Sequence, residues 1–314
     1  MWRIKLALKV LGGKLPALKT ALKAFGFYRH GPMDSPSYAI GVFNKHFVRS
    51  RILVGTTGRE SDFWPQGKKI TRDRPISNGQ GGVCLEIGPG ESLLTMLVAK
   101  AAGFEKTIFI DKGIQIRQDI RPYLKMAAHL KGLGFTLPHF DPQDSVDSLI
   151  HKFGAEYLTD GLESFRKIPS QSIDFSFSHA VFEHIPLSEA GQFIQEIKRA
   201  SKPGGFSSHS VDLKDHLGGS INHLRFSQKT WESPAIYNSG IYTNRLRFSE
   251  WMQLFKAEGT PYQILWKQAY PSLPVSKSKL ASQFQPLESR DLLINGFDVV
   301  LRFSPSIEGA TVEQ

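Results

Sequence analysis

The chain has 314 residues, 40% of them hydrophobic, which is enough to bury one large α/β domain with additions. Its formal charge is +10, but the seven cations Arg3, Lys5, Lys9, Lys14, Lys19, Lys23 and Arg29 all precede the first acid, Asp34, so the body carries only +3. A nucleic-acid partner, whose phosphates need many Lys and Arg contacts, is therefore not expected. The lone Cys84 excludes a disulfide framework or a cysteine zinc site within one chain, and no eighteen apolar residues run together to form a spanning helix. The composition is that of a cytoplasmic protein, soluble or peripheral to a membrane.

Residues 1–34 form a basic leader in which Leu15, Leu18, Leu22 and Phe25 recur at helical spacing beside Lys14, Lys19 and Lys23. Trp2, Ile4, Leu6, Leu8 and Val10 alternate, which leaves the first ten residues open between helix and strand. A basic amphipathic segment over residues 1–30 suits peripheral contact with an anionic membrane; a helix packed on the body and a targeting leader are the alternatives. Residues 35–80 read as a helical or irregular extension, with a short helix at 38–50 covering the ligand pocket. A loop from Asn78 to Gly82 then feeds a domain that spans 81–304.

Val83–Ile87 reads as a buried strand, Gly88-Pro89-Gly90 as a sharp turn, and Leu93, Leu94, Leu97, Val98 and Ala101 as the stripe of a helix. Glycines leave bare backbone against which a ligand can lie, and the free N–H groups of the new helix face it. Glu86 inside that strand is costly unless a positive or hydrogen-bond-donating ligand meets it. A second strand, Thr107 to Asp111, ends on a carboxylate about twenty residues past the turn, where a doubly wound sheet holds a ribose. Helices are expected at 114–131, despite Pro122, and at 142–153. A third strand at 156–159 leads to Asp160-Gly161, and a fourth ends near Ser178. The next helix carries Leu187, Ala190, Phe193, Ile194 and Ile197 on one face and stops at Lys202-Pro203-Gly204-Gly205, before a fifth strand from Phe206 to Asp212.

Residues 213–247 are too long for a simple connection and read as a cap over the active site. Asn244 to Trp251 opens a helix that stops at Gly259. Strands at 261–266 and 295–303 close the sheet, with 269–292 irregular and 305–314 a loose tail.

Glu86-Ile87-Gly88-Pro89-Gly90-Glu91-Ser92, followed by Asp111, resembles motif I of the class I S-adenosylmethionine-dependent methyltransferases; Ser92 stands where their last glycine would be. The run from Asp174 through Ser178 and Glu183-His184 to Lys202-Pro203-Gly204-Gly205 resembles the second distinctive block of the small-molecule members, and the two blocks together cover about residues 81–212. The resemblance implies a Rossmann-like, doubly wound seven-stranded sheet with an antiparallel last strand. It implies S-adenosylmethionine as cofactor, held by Glu86, Gly88, Gly90, Asp111 on the ribose, Asp160 and Gly161 at the adenine, and Ser178. His209, Asp212, Asp215 and His216, followed by Asn244-Arg245-Leu246-Arg247, resemble methyltransferases of polysaccharide-biosynthesis type. The acceptor expected from this is a sugar, a glycan or another small molecule methylated on oxygen, with a quinone or lipid as the alternative.

Removing a proton from a hydroxyl acceptor requires a base. His184 and His179 are the candidates, with His209 and His216 behind them; for His223 a structural role is favoured. His184 is expected at the start of a helix, where the positive end of the dipole favours a neutral imidazole. Glu183-His184 also resembles the Glu-x-x-Glu-His pattern of metal-dependent members, but Ala180 replaces the first glutamate. No metal is expected, although His209, Asp212 or Asp215 could supply the missing ligand. An NAD-dependent oxidoreductase is the rival from another class. It needs Gly-x-Gly-x-x-Gly, and Leu93 stands at the last position. A non-catalytic cofactor-binding module is the third alternative, against which the full set of acids and glycines weighs.

Overall fold

The computed structural model describes residues 2–15, 17, 18, 34–52 and 81–303. Leu22, Phe25, the Asn78–Gln80 loop and the tail lie outside the described residues. The first half runs α1 (Trp2–Lys14), α2 (Pro36–Ile52), β1 (Val83–Ile87), α3 (Thr95–Ala101), β2 (Lys106–Ile110), α4 (Arg121–Gly132), α5 (Val146–Lys152), β3 (Ala155–Leu158) and α6 (Leu162–Arg166). The second runs β4 (Ile173–His179), α7 (Ala190–Ala200), β5 (Ser201–Asp212), α8 (Gln228–Trp231), α9 (Pro234–Tyr237), α10 (Phe248–Ala257), β6 (Tyr262–Ala269), α11 (Ser289–Leu293) and β7 (Ile294–Arg302).

The seven strands lie in the order β3-β2-β1-β4-β5-β7-β6, with β7 antiparallel to both of its neighbours. Strand order reverses between β1 and β4, and in such sheets ligands bind beyond the carboxyl ends of the strands at that crevice. Alternation along the strands divides the core. Cys84, Phe175 and Phe177 face a cluster with Phe43, Phe104 and Leu97, whereas Leu85 and Ile87 face Ile194, Trp251 and Phe255. Phe43 of α2 stands edge-on to Phe175 and Phe177, at 6.1 and 5.9 Å between ring centres. The expected short helix at 38–50 is thus longer, and it is one layer of the sheet's packing rather than a pocket cover.

Other boundaries move for physical reasons. Residues 112–120 are irregular, and α4 begins at Arg121 with Pro122 in its first turn, where a missing N–H costs nothing. Helix α10 begins at Phe248 and not at Asn244, because Arg247 is still extended and its N–H donates to Glu250 at 2.7 Å. Strand β5 already starts at Ser201 and takes in the Pro-Gly-Gly run expected to precede it.

Helix α1 lays Trp2, Leu6 and Val10 on a cluster of the 213–247 segment that includes Leu217, Trp231 and Tyr242. Packing on the body, one of the alternatives open for the leader, accounts for that face, while Ile4, Leu11 and Leu15 stay exposed. Ile221 and Leu224 of the same segment pack on Val275, Leu280 and Phe284, so the 269–292 excursion buttresses the cap. Among the described residues no helix is long and apolar enough to cross a membrane.

Candidate active site

The turn after β1 needs both of its glycines. Gly88 and Gly90 have φ of +69° and +68°, and a Cβ at Gly88 would come within 2.5 Å of the Val181 side chain. Ser92 is absent from the positive-φ positions, so a residue other than glycine is accommodated there. The Gly90 N–H donates to Asp111 Oδ2 at 3.2 Å and the Lys112 N–H to Oδ1 at 2.7 Å, which fixes the carboxylate at the tip of β2 against the turn. Gly88, Ile110, Asp111, Gly161, Val181 and His184 are among the residues that line a single cavity at this crevice.

Glu86 is buried beneath the turn and accepts a hydrogen bond from Thr95 Oγ1. Burial pushes its pKa up to about 8, Asp111 adds to the rise, and the Thr95 bond opposes it. The cost of a buried acid is thus met by protonation as well as by a donor. A folded pKa above the ordinary 4.5 means that the unfolded chain ionises first. The group's contribution to stability is full below about pH 4.5 and is lost as pH rises toward about 8, by up to about 1.4 kcal/mol per pH unit. Glu86→Gln should remove this fall. Denaturant midpoints at pH 5, 6.5 and 8 are expected to diverge in the variant's favour as pH rises; parallel profiles would refute the shift.

The mouth of β4 is built differently from the expectation. Ala180 takes φ +57°, and Phe182–His184 forms one 3-10 turn that ends before Pro186; α7 starts only at Ala190. Ile185, as the residue before proline, is held extended. His184 therefore has no helix N-terminus behind it, which corrects the dipole argument. Its Nδ1–H donates to the Tyr242 carbonyl at 2.9 Å, so a neutral ring carries its lone pair on Nε2. The cap holds this turn from the other side. The Asn244 amide donates to the carbonyls of Phe182 at 2.7 Å and Ile185 at 3.0 Å, and the Asn244 N–H donates to that of Glu183 at 2.7 Å. Trp231 Nε1–H in turn donates to the Thr243 carbonyl at 2.7 Å.

His216 stands beside His184, with ring centres 4.8 Å apart. Burial pushes its pKa down to about 3, helped by His184, Lys9, Lys5 and Lys214. Lys9, nearly buried on α1, is itself lowered to about 8 by burial and by Lys5. The charge of the leader is thus felt at His216, which nothing in its sequence announces. Glu183 is held well above its ordinary value by burial first and Asp212 second.

The remaining candidates lie elsewhere. His179 points to the α2 face, where its Nδ1 is 3.4 Å from His46 Nε2 and its ring meets Tyr38 edge-on. Ser178 Oγ is buried against His209 Nδ1 at 2.8 Å, and His209 Nε2 meets Ser207 at 2.6 Å. Burial pushes His209 down to about 3, and its ring stacks on Phe182 at 4.2 Å, so it is part of the core. His223 is buried and held well below its ordinary value, which fits the structural role. Asp160 pairs with Lys167 at 2.8 Å on the surface, leaving Gly161 and Leu162 to line the cavity. Tyr242 and Thr95 carry no signal in the sequence; each acts through a contact that no local pattern encodes.

Residues 85–208, from β1 to β5, match a family model described as a methyltransferase domain. This segment holds the glycine turn, Asp111 and His184, and leaves out the cap. It is a methyltransferase domain, and the protein is an S-adenosylmethionine-dependent methyltransferase. The left-handed glycines and the carboxylate at the tip of β2 fit that group.

Solved structures similar to the chain include the YcgJ protein of Bacillus subtilis, at 14% identity over 72% of this chain and 94% of that one, with a TM-score of 0.39. Phosphoethanolamine N-methyltransferase 2 of Haemonchus contortus, in complex with S-adenosyl-L-methionine, is 14% identical over 85% of this chain and 57% of that one, at 0.42. An arsenic (III) S-adenosylmethionine methyltransferase from Chlamydomonas reinhardtii is 15% identical over 74% and 67%, at 0.40. Among curated proteins none matches the chain. Likeness at this level does not bear on the acceptor.

Proposed function

We propose that the enzyme methylates an oxygen of a hydroxylated small molecule of the sugar or glycan class. The observation that carries this is His184. It lines the cofactor cavity, and its Nδ1–H is committed to the Tyr242 carbonyl, which directs a basic Nε2 at whatever enters beneath the cap. An amine or thiolate attacks with a lone pair it already has, whereas a hydroxyl must lose a proton as it reacts. A positioned neutral imidazole therefore favours an oxygen acceptor. When bound, S-adenosylmethionine supplies the electrophilic methyl group. Asp111 takes the ribose hydroxyls, Gly88 and Gly90 leave their backbone open to the cofactor, and Gly161 borders the adenine, with Asp160 beside it turned to Lys167. Polar cap residues such as His216 suit a hydroxylated acceptor better than an apolar one.

Transfer of labelled methyl from S-adenosylmethionine to a panel of monosaccharides, nucleotide sugars, quinols and amines tests the proposal. Label is expected in a methyl ether of a sugar. Label in a quinol would move the acceptor to the lipid class, and label in an amine would sink the oxygen reading.

A further inference from the structure

Glu183 and His184 from the turn after β4 meet His216 from the cap, and of the three His184 lines the cavity. One carboxylate oxygen and one nitrogen of each ring all lie within 4.8 Å of one another. Glu183 is 2% exposed, and neither of its oxygens meets a partner at full hydrogen-bond geometry; only the backbone N–H groups of Glu183 and Asp212 come near enough to lower its pKa. Buried carboxylates are retained where something pairs with them. Lys214, the lysine acting most directly on Glu183, bonds instead to Asp212 at 3.1 Å. A small cavity beside Glu183, also lined by His223 and Thr243, holds only about 10 Å³, room for a single water at most.

From this cluster we infer that Glu183, His184 and His216 form a binding site for a divalent first-row transition cation. Two imidazoles and one carboxylate suit zinc, manganese or iron(II); magnesium and calcium prefer all-oxygen shells. The hydrogen bond from His184 to the Tyr242 carbonyl is the outer contact that metal-bound imidazoles make, and it fixes the tautomer that leaves the other nitrogen for the ion. Ala180 stands where the Glu-x-x-Glu-His pattern has its first ligand; here a histidine from the cap stands in for that missing acid. Three protein ligands leave coordination positions open toward the cavity that His184 lines.

The inference deepens the proposed function and rests on it for the place of the acceptor. An ion held by Glu183, His184 and His216 would make a hydroxyl that meets it a stronger acid, whose proton would pass to bulk water with the ion's charge unchanged. The part of His184 then shifts from accepting that proton to holding the ion.

The full-length protein, stripped with a chelator, is dialysed against Zn²⁺, Co²⁺ or Mg²⁺ and assayed for bound metal, cobalt absorption bands and S-adenosylmethionine affinity. Wild type is expected to bind Zn²⁺ and Co²⁺ at about one per chain, with Mg²⁺ at least about tenfold weaker. Glu183→Gln and His216→Ala should each weaken Co²⁺ binding by about 10–100-fold or more and change its spectrum, while cofactor affinity, which reports folding, is kept. Co²⁺ binding that is equal in wild type and both variants overturns the site. So does a stripped enzyme that binds cofactor and transfers methyl groups but takes up no metal; Glu183 would then hold a water and His184 would accept the proton directly. A protein that binds the metal at these residues but never S-adenosylmethionine overturns the methyl-transfer reading and leaves the site standing.

Discussion

His184→Ala is expected to cut turnover by about 10²–10⁴-fold while leaving cofactor affinity nearly unchanged. The ring is exposed, and its described polar contact is the bond to the Tyr242 carbonyl, so its removal opens no core cavity. Asp111, Gly88 and Gly90 are held by β1 and β2 without it. The loss should therefore fall on kcat. His179→Ala is the control, because its ring sits on the α2 face with His46 and Tyr38 and does not line the cavity. The reverse pattern, a large loss in His179→Ala and near-normal turnover in His184→Ala, would move the acceptor to the α2 face. Kinetics of both variants beside their thermal melts decide the matter.

What the sequence made legible follows from how local each signal is. Strands β1 and β2 are short, mostly apolar runs, and the turn between Ile87 and Ser92 carries glycines at the two positions that need positive φ. Both can be recognised without knowing a distant neighbour. The Phe193, Ile194 and Ile197 stripe is equally local, and it is buried as expected. The helix expected at His184 does not form there, because Pro186 holds Ile185 extended, a signal that the sequence itself carries. Glu86 reads as costly inside a strand, but its protonation and its bond to Thr95 depend on burial, which a single sequence does not report.

The cap was legible as an insertion and not as a device. Asn244-Arg245-Leu246-Arg247 reads as the opening of a helix and as part of the resemblance to polysaccharide-type methyltransferases, yet the polar side chains of Asn244, Arg245 and Arg247 bind the protein itself. Asn244 clasps the Phe182–Ile185 turn, and Arg245 donates to the carbonyls of His223 at 3.3 Å and Phe226 at 2.6 Å. The amphipathic leader posed the converse difficulty, since one apolar stripe serves a membrane or a protein surface equally well. Its partner, the cluster around Trp231 and Tyr242, lies more than two hundred residues away.

Arg247 offers the strongest test of how the cap is held. Its side chain is fully buried, and its guanidinium donates to the carbonyls of Leu213 at 2.9 Å, Leu292 at 3.4 Å and Ile294. Those carbonyls belong to the start of the insertion and to the approach to β7, so one fork joins both ends of the cap to the sheet. Burial lowers its pKa, with Asp291 and other neighbouring acids opposing the shift. Arg247→Ala leaves three carbonyls without their donor and opens a cavity, and about 3–5 kcal/mol of stability should be lost. Arg247→Lys keeps the charge but not the planar fork, and should fall between the two. Because Leu213 and Arg247 flank the segment that carries His216 and Tyr242, turnover per folded molecule should fall as well. Cofactor affinity should hold, since the glycine turn lies across the sheet on β1 and β2. A lower denaturant midpoint with turnover unchanged would mean that Asn244 alone keeps His184 in place and that Arg247 only stabilises the fold.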